Sequence, residues 1–347
     1  MRRRRGAARR AAAWMLLALV VGGCGAGYVA RAGYEEARIL WRRRPIAEVL
    51  AQPDLDPATR AKLELVGAVR AYARDDLGLR VGGSYASLAT VDAAQVVHVV
   101  TAAPRTRLQP RTWWFPIVGS VPYRGYFDEA DATAFAADLE RDGDDTMVRP
   151  AIAFSTLGWF DDPLLSTMLR DDESRLADTV IHELTHSTRY VPGQAAFNES
   201  LAMFVGLCGA ERFFATRGDS ERAARVAARW ADAQTFSTAL AEVVARLRQA
   251  YAAPIDEPAR QALFAALQHA VAEREWRTQE YAAFWRQPIN NAVIVHDQLY
   301  ADRLPLFAAA LACRGGDLRA TIAAILAGLD AHDDPYAAVA ALTECVE

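Results

Sequence analysis

The chain has 347 residues, of which 52% are hydrophobic and 24% are charged, and its formal net charge is −4. This is the balance of a globular protein that can bury a sizeable core, as one large domain or two smaller ones. Six arginines and no acidic residue occupy the first ten positions, so the rest of the chain is mildly acidic, which argues against a nucleic-acid-binding protein.

The N-terminal segment has the pattern of a bacterial export signal. A basic stretch over residues 1–10 precedes an apolar stretch over 11–21. Val21-Gly22-Gly23-Cys24 then resembles a lipobox, in which small residues precede a cysteine that becomes lipidated. We therefore expect residues 1–23 to be a signal peptide and Cys24 to carry a lipid.

Such a lipid would anchor the protein to a membrane of the cell envelope. Gly25 follows the cysteine, and by resemblance to the sorting rule of Gram-negative lipoproteins this residue favours the periplasmic face of the outer membrane. Two alternatives stay open. One is a plain signal peptide, and the other is an uncleaved helix that continues through Ala30 and, at about 20 residues, is long enough to anchor in the inner membrane. In all three cases the body lies outside the cytoplasm.

The next part of the chain predicts helices and strands in turn. Residues 24–50 form an N-terminal helical segment with a basic corner at Arg42-Arg43-Arg44-Pro45, and residues 51–173 are the mixed part of the main domain. Within 51–173 the patterns predict helices over 57–77 and 128–142, strands over 96–100 and 148–160, a loop with short strands over 113–127, and a short helix that opens at Asp161-Asp162-Pro163.

The second half, residues 174–347, is almost entirely helical in its pattern. The main helices are predicted over 174–190, 196–216, 219–250, 257–285 and 289–312, with a final pair from 316. Residues 51–347 therefore predict one α+β domain, predominantly helical, with a small sheet and a C-terminal helical bundle. In an oxidising compartment Cys313 and Cys345 are candidates for a disulfide, and Cys208 is expected to be a buried thiol.

One pentapeptide in the first of these helices has the pattern of a metal site. His182 and His186 are four residues apart, so their imidazoles lie one turn apart on the same face of a helix and can bind one zinc ion. Glu183 lies beside them and can act as general base toward a zinc-activated water. By itself the HExxH pattern is a weak signal because chance matches are common.

A third ligand is expected from the following helix. The breaker Pro192-Gly193 predicts an antiparallel hairpin, in which His186 and Glu199 lie at about the same distance from the turn and hence at the same level. Three protein ligands would leave a fourth position open, as a catalytic zinc site requires. The strand before this helix is expected to run beside it and to bind an extended substrate along its edge.

Several further motifs resemble those of one bacterial family. They are GYEEA (33–37), WWFPIVG (113–119), PYRGYFD (122–128), STLGWFDDPLLSTML (155–169), HELTH (182–186), FNES (197–200) and NNA (290–292). HELTH with the downstream Asn198-Glu199 is similar to the gluzincin group of zincin metallopeptidases, and the full set resembles, over nearly the whole chain, a bacterial family named for aminopeptidase activity. The resemblance implies a zincin-like metallopeptidase with the small sheet beside the HExxH helix. Only 12 residues separate His186 from Glu199, fewer than in the large gluzincin aminopeptidases, so the hairpin must be tight.

Other polar side chains are candidates for supporting roles. A transition-state oxyanion needs a hydrogen-bond donor besides the metal. Tyr300 is one candidate for this catalytic role, and Tyr123 with Arg124 is another. The candidates for metal-supporting or substrate contacts are Asn198, Tyr123, Arg124, Ser155 and Thr156. His98 lies in a run of valines and is expected to be a core strand residue.

The sequence thus predicts a zinc-dependent peptidase of the cell envelope, with Zn²⁺ as cofactor, a peptide or protein as substrate and no nucleic-acid partner. Aminopeptidase activity is the leading hypothesis. An envelope endopeptidase and a non-catalytic scaffold stabilised by zinc are the alternatives. Glu183 argues against the scaffold, because a structural zinc site needs no general base.

Overall fold

The computed structural model describes residues 33–34, 37–91, 97–115, 119–151 and 161–345, and every structural statement below concerns these residues. The predicted signal peptide, Cys24, Ser155 and Thr156 lie outside them. The chain divides into two compact units, Met1–Arg43 and Arg44–Glu347. In the first unit, residues 37–41 are helical.

The second unit is predominantly helical. Its helices are α1 (Ile46–Leu50), α2 (Pro57–Asp75), α3 (Glu129–Arg141), α4 (Glu173–Thr188), α5 (Ala195–Thr216), α6 (Ser220–Ala250), α7 (Glu257–Ala272), α8 (Gln279–Phe284), α9 (Asn291–Tyr300), α10 (Leu304–Cys313), α11 (Leu318–Gly328) and α12 (Pro335–Ala340). Its strands are β1 (Arg44–Pro45), β2 (Ser87–Ala89), β3 (Val97–Pro104), β4 (Trp113–Phe115), β5 (Gly119–Val121), β6 (Arg124–Tyr126), β7 (Asp144–Ala151) and β8 (Leu164–Leu165).

The strands form three small sheets, with the orders β1-β2-β8, β6-β3-β7 and β4-β5. In the second sheet β3 is antiparallel to both neighbours, and its register with β7 runs from Val97 opposite Ala151 to Pro104 opposite Asp144. Because side chains alternate along a strand, Val100 faces α3 on one side of the sheet and Thr101 faces α9 on the other. This sheet therefore separates α3 from the helix that carries Tyr300.

The main core surrounds helices α4 and α5. Helix α4 packs against α2, α5 and α6, and its apolar side chains Leu176, Val180 and Leu184 are fully buried. The apolar stripe recurs every three or four residues, so it covers one side of the helix and leaves the histidine side free of aliphatic packing. Helix α5 is buried on nearly all sides, in agreement with its near-continuous apolar sequence.

Several predicted elements are confirmed and others are wrong. The helices predicted over 57–77, 128–142, 174–190, 196–216 and 219–250 are observed with shifts of one or two residues at their ends. The short helix expected at Asp161-Asp162-Pro163 is wrong: strand β8 and a one-turn 3₁₀ helix, Met168–Arg170, follow instead. The Asp161 carboxylate accepts a hydrogen bond from the backbone N–H of Gly83, 2.8 Å away, so this acid joins two loops.

Two long predicted helices are each broken in two. The helix predicted over 257–285 is interrupted after Ala272, where the buried Asp232 carboxylate accepts hydrogen bonds from the backbone N–H groups of Arg277 and Thr278, at 2.9 and 2.7 Å. The helix predicted over 289–312 is interrupted at Arg303, whose φ of 53° lies in the left-handed region. Contacts distant in sequence therefore override helical periodicity at both places.

The strand predicted over 148–160 begins earlier, at Asp144, and residues 152–160 lie outside the described part of the chain. The described strand, β7, pairs with β3 and packs against α3 and α9, whereas α4 packs against α2, α5 and α6. The expectation that this strand runs beside α4 thus finds no support in its described portion.

Cysteine pairing follows the sequence expectation. A disulfide joins Cys313, the last residue of α10, to Cys345, and Cys208 is a free, buried thiol. Among the described helices, none combines the length and the apolar character needed to cross a membrane.

Candidate metal centre

Helix α4 holds the two histidines and is fixed at both ends. At its N-terminus the Asp172 carboxylate accepts hydrogen bonds from the backbone N–H groups of Ser174 and Arg175, at 2.9 and 3.2 Å. At its C-terminus the Arg80 guanidinium donates to the backbone carbonyl of Ser187, 2.8 Å from its Nε. The helix therefore presents His182 and His186 from a rigid support.

The side chain of Asn198, the residue before Glu199, closes the turn between α4 and α5. The Asn198 side chain accepts a hydrogen bond from the backbone N–H of Val191 at 2.9 Å and donates one to the carbonyl of Val191 at 2.8 Å. This paired contact fixes the connection between α4 and α5, as the short spacing requires. It sets the start of α5, and hence the position of Glu199.

The three predicted ligands converge on one point. The Nε2 atoms of His182 and His186 are 3.2 Å apart, and the Glu199 Oε2 atom lies 3.2 Å from the first and 3.4 Å from the second. These spacings match a metal site, because ligand atoms about 2.0–2.1 Å from a tetrahedral zinc ion are roughly 3.3–3.4 Å from one another. The structure thus assembles a group that can hold a metal ion.

The chemistry of the donor set also fits zinc. Two imidazole nitrogens and one carboxylate oxygen form a set that zinc accepts, and three protein ligands leave one position open. His186 is almost fully buried, while the His182 and Glu199 side chains are each 16% exposed. One side of the group is therefore accessible to a small molecule.

The pKa values of His182 and Glu199 are shifted in opposite directions by the ionic contacts among His182, His186 and Glu199. Burial by itself would lower the pKa of His182, but the hydrogen bond to Glu199 and the nearby carboxylates, Glu183 first, raise it to about 9. Burial would raise the pKa of Glu199, but His186 and His182 hold it far below its ordinary range. A cation between these groups would take the place of the proton that they share.

Small and charged residues allow α5 to approach α4 behind the histidines. A Cβ atom at Gly206 would lie 2.6 Å from Asp178 Oδ1 and 3.3 Å from the Cβ of His182, so only glycine fits there. Asp178, one turn before His182, forms an ion pair with Arg229 at 2.7 Å. This buried carboxylate adds to the field that raises the pKa of His182.

Glu183 lies beside the ligands but does not join them. Burial raises the pKa of its carboxyl, and the electrostatic influence of both histidines opposes this rise.

Tyr85 lies near the Glu183 carboxylate. The Tyr85 side chain is almost completely buried, and burial together with Glu183 raises the pKa of Tyr85 well above its ordinary value. Tyr85 has a φ of 58°, an unusual conformation for an aromatic residue, which the sequence did not predict.

Helix α9 brings Tyr300 to the other side of the site. The ring centroids of Tyr300 and His182 are 6.4 Å apart, with an angle of 26° between the planes. The Glu199 carboxylate, and then burial, raises the pKa of Tyr300 well above its ordinary value, so its hydroxyl stays protonated. The Tyr300 ring therefore lies beside His182 and carries a hydroxyl that can donate a hydrogen bond.

Both ends of α9 are fixed by residues of the family-like motifs. Asn291 donates from its backbone N–H to Asp145 Oδ2 at 2.9 Å and from its side chain to the Pro104 carbonyl at 2.8 Å. At the other end the Ser200 hydroxyl donates to the Leu299 carbonyl at 3.2 Å, and the hydroxyl oxygen accepts from the Asp302 N–H at 3.0 Å. Three consecutive residues thus have different contacts: Asn198 closes the turn, Glu199 is a candidate metal ligand, and Ser200 secures the end of α9.

The remaining predicted residues are placed differently. Tyr123 lies near Tyr300, whose pKa it helps to raise. The Arg124 guanidinium lies over the rings of Tyr126 and Phe135, at 5.3 and 4.9 Å, on the face of the sheet that α3 covers. His98 pairs with Tyr126 in the sheet register, as a strand residue.

Residues that the sequence did not single out complete the surroundings of the metal site. They are Tyr85, Thr101, Asp178, Ser200, Gly206 and His296. Ser200 stands within the FNES motif, which is the one sequence signal that could have drawn attention to it. The others have no local pattern that distinguishes them from core residues.

Comparison with known protein families gives an assignment for this chain. The family model described as "Putative aminopeptidase" matches residues 27–334, which is most of the chain. The chain therefore belongs to this family. No curated protein and no solved structure is similar enough to give a match.

Proposed function

We propose that the protein is a zinc-dependent aminopeptidase of the zincin type. The observation that carries this proposal is the convergence of His182, His186 and Glu199 to mutual distances of 3.2–3.4 Å, with Glu183 beside them. Tyr300 on the opposite side supplies the hydrogen-bond donor that an amide-hydrolysing site needs. The family assignment supports a peptide as the substrate.

Zinc, when bound by the three ligands, supplies a Lewis acid that polarises a carbonyl group and favours the ionisation of water. Glu183 accepts the proton of the attacking water as the new carbon–oxygen bond forms. The electron pair of the carbonyl double bond moves onto its oxygen, to which the Tyr300 hydroxyl donates a hydrogen bond. Glu183 then gives the proton to the leaving nitrogen as the carbon–nitrogen bond breaks.

The raised pKa of Glu183 suits this role. A carboxylate of ordinary pKa is a weak base near neutral pH, and burial makes its proton affinity larger. The histidines oppose the shift, so the carboxylate can still be ionised before the reaction begins. A non-catalytic zinc scaffold would have no use for a buried acid in this position.

The first experiment separates metal binding from catalysis. We expect Glu183→Gln to retain the zinc content of the wild type and to lose peptidase activity by a factor on the order of 10³ or more. Glu173→Gln, on the first turn of the same helix, is the control and should keep activity. Equal zinc content without cleavage in either the wild type or Glu183→Gln would favour the scaffold.

A second experiment distinguishes cleavage at the N-terminus from internal cleavage. Fluorogenic aminoacyl substrates report an aminopeptidase, and internally quenched peptides with a blocked N-terminus report an endopeptidase. We expect activity on the first group and little on the second. Cleavage of the blocked peptides alone would overturn the aminopeptidase proposal and leave the zinc mechanism intact.

We also propose that the protein is anchored by a lipid on Cys24 and works in the cell envelope. The lipobox-like sequence supports the anchor, and the Cys313–Cys345 disulfide fits an oxidising compartment. Metabolic labelling with a radioactive fatty acid should mark the wild type and not Cys24→Ser. Unlabelled wild type found in the inner membrane would favour an uncleaved anchor instead.

A further inference from the structure

Helix α9 contributes a second polar side chain to the same side as Tyr300. His296 is four residues before Tyr300, so both side chains lie on one face of the helix. Their ring centroids are 5.5 Å apart, and the Tyr300 ring in turn lies against the ring of the ligand His182. The imidazole of His296 therefore lies beside the predicted oxyanion donor and within hydrogen-bond distance of β3.

A hydrogen bond from the sheet fixes the orientation of this imidazole. Thr101 Oγ1 on β3 lies 3.2 Å from His296 Nδ1, and Thr101 is completely buried. Within the described part of the chain this is the one hydrogen-bond partner found for the Thr101 hydroxyl. A buried hydroxyl requires an acceptor for its proton, so Thr101 donates and Nδ1 accepts.

This direction of the hydrogen bond determines the tautomer. If Nδ1 accepts, the single proton of the neutral ring is on Nε2, which becomes a donor. No described residue is hydrogen-bonded to Nε2. The ring carries no charge at neutral pH, because burial, with the help of the Arg149 guanidinium, lowers the pKa of His296 to about 4 against the opposing effect of Glu199.

We propose that His296 is a second catalytic hydrogen-bond donor, whose Nε2–H group stabilises the oxyanion of the tetrahedral intermediate together with the Tyr300 hydroxyl. This inference rests on the proposed peptidase function and adds a residue to it. Two fixed neutral donors suit an oxyanion, since they stabilise negative charge without a rearrangement at the moment of reaction. Thr101 is then a positioning residue, which acts through the His296 ring.

The first test needs neither metal nor substrate. Long-range ¹⁵N–¹H NMR spectra of the protein labelled on histidine distinguish the two neutral tautomers of each imidazole. We expect His296 in the Nε2–H form at pH 7, and His296→Gln identifies its signal. In Thr101→Val the Nδ1 signal of His296 should shift, because this nitrogen loses its hydrogen-bond donor. An Nδ1–H tautomer in the wild type would overturn the inference.

The second test measures catalysis in the zinc-loaded enzyme. For His296→Leu we expect kcat to fall about 10²-fold, while KM and zinc content stay close to the wild-type values. His296→Gln restores a neutral donor, so its kcat should be roughly tenfold higher than that of His296→Leu. For Thr101→Val we expect a larger loss of kcat than for Thr101→Ser, which keeps the hydroxyl. His269→Leu is the control, because His269 is 77% exposed on α7.

Binding of a phosphinic peptide gives a third measurement without turnover. Such a peptide carries a tetrahedral anionic centre, so its Kd should rise in His296→Leu by the same factor as kcat/KM falls. If the wild type is active and the kcat of His296→Leu stays within threefold of the wild-type value, the role of His296 is refuted and the proposed peptidase function stands. If the zinc-loaded wild type cleaves no peptide, the proposed function itself fails, and the catalytic role of His296 fails with it.

Discussion

The two sides of the site are built in different ways. The candidate metal-binding side is one helical hairpin, α4 and α5, in which the three candidate ligands and the proposed general base lie between residues 182 and 199. The opposite side is assembled from β3 and α9, which contribute Thr101, His296 and Tyr300. The first side depends on local helix geometry, and the second on contacts between parts of the chain that are far apart in sequence. Changes to the three candidate ligands should therefore act on the metal, and changes to Glu183 or to the second side on the reaction.

The largest effect is expected from removal of a ligand on the hairpin side. Glu199→Ala should weaken zinc binding on the order of 10³-fold, because two imidazoles then hold the ion without the carboxylate. Zinc titration against a competing chelator measures the change. Glu221→Ala, an exposed acid on α6, is the control. Undiminished zinc affinity in Glu199→Ala would show that the third ligand is another residue.

On the opposite side, loss of the Tyr300 hydroxyl should spare the metal. For Tyr300→Phe we expect kcat to fall about 10²-fold with unchanged zinc content, because the oxyanion loses one donor. Steady-state kinetics and metal analysis on the same samples measure both quantities. Tyr72→Phe is the control, since Tyr72 packs against Phe213, about four turns along α5 from Glu199. A Tyr300→Phe variant that lost its zinc would contradict the division into two sides.

The close approach of the two hairpin helices can be tested with a single methyl group. Gly206→Ala should lower the free energy of unfolding by about 1–3 kcal/mol and weaken zinc binding, because the new Cβ would collide with Asp178 beside His182. Gly67→Ala in α2 is the matched control, because its Cβ meets no atom within 4 Å and should stabilise the helix by about 0.5–1 kcal/mol. Denaturant unfolding of both variants measures whether the free energy of unfolding falls in Gly206→Ala and rises in Gly67→Ala.

A pH-dependent stability is expected on the side of α9. Burial raises the pKa of Asp297 to about 7, against the opposing influence of Arg149, 3.5 Å away. Because its pKa is raised in the folded protein, Asp297 contributes to the free energy of unfolding in full below its ordinary pKa of 3.8. This contribution is lost as the pH rises through 7. Between pH 5 and pH 8 the wild type should therefore lose about 1–3 kcal/mol relative to Asp297→Asn. Unfolding free energies of the two proteins that differ by a constant amount over this range would contradict the shift.

The hairpin could be predicted because its information is local. The spacing of His182 and His186, the breaker at Pro192-Gly193 and the position of Glu199 define the three-ligand site within 18 residues. The helices with strong periodicity, such as α2, α4 and α5, follow their predicted ranges for the same reason. The predictions for helix ends failed where a buried carboxylate, Asp232, holds the chain out of a helix.

The sequence by itself determined the hairpin that brings His182, His186 and Glu199 together, because a helix turns by a fixed angle per residue and so places i and i+4 on one face. Only the tertiary structure decided which side chains face that hairpin. Nothing near Thr101, His296 or Tyr85 in the sequence distinguishes them from core residues, since their partners lie on other strands and helices. The catalytic surroundings of Glu183 and Tyr300 are thus a product of packing between distant segments.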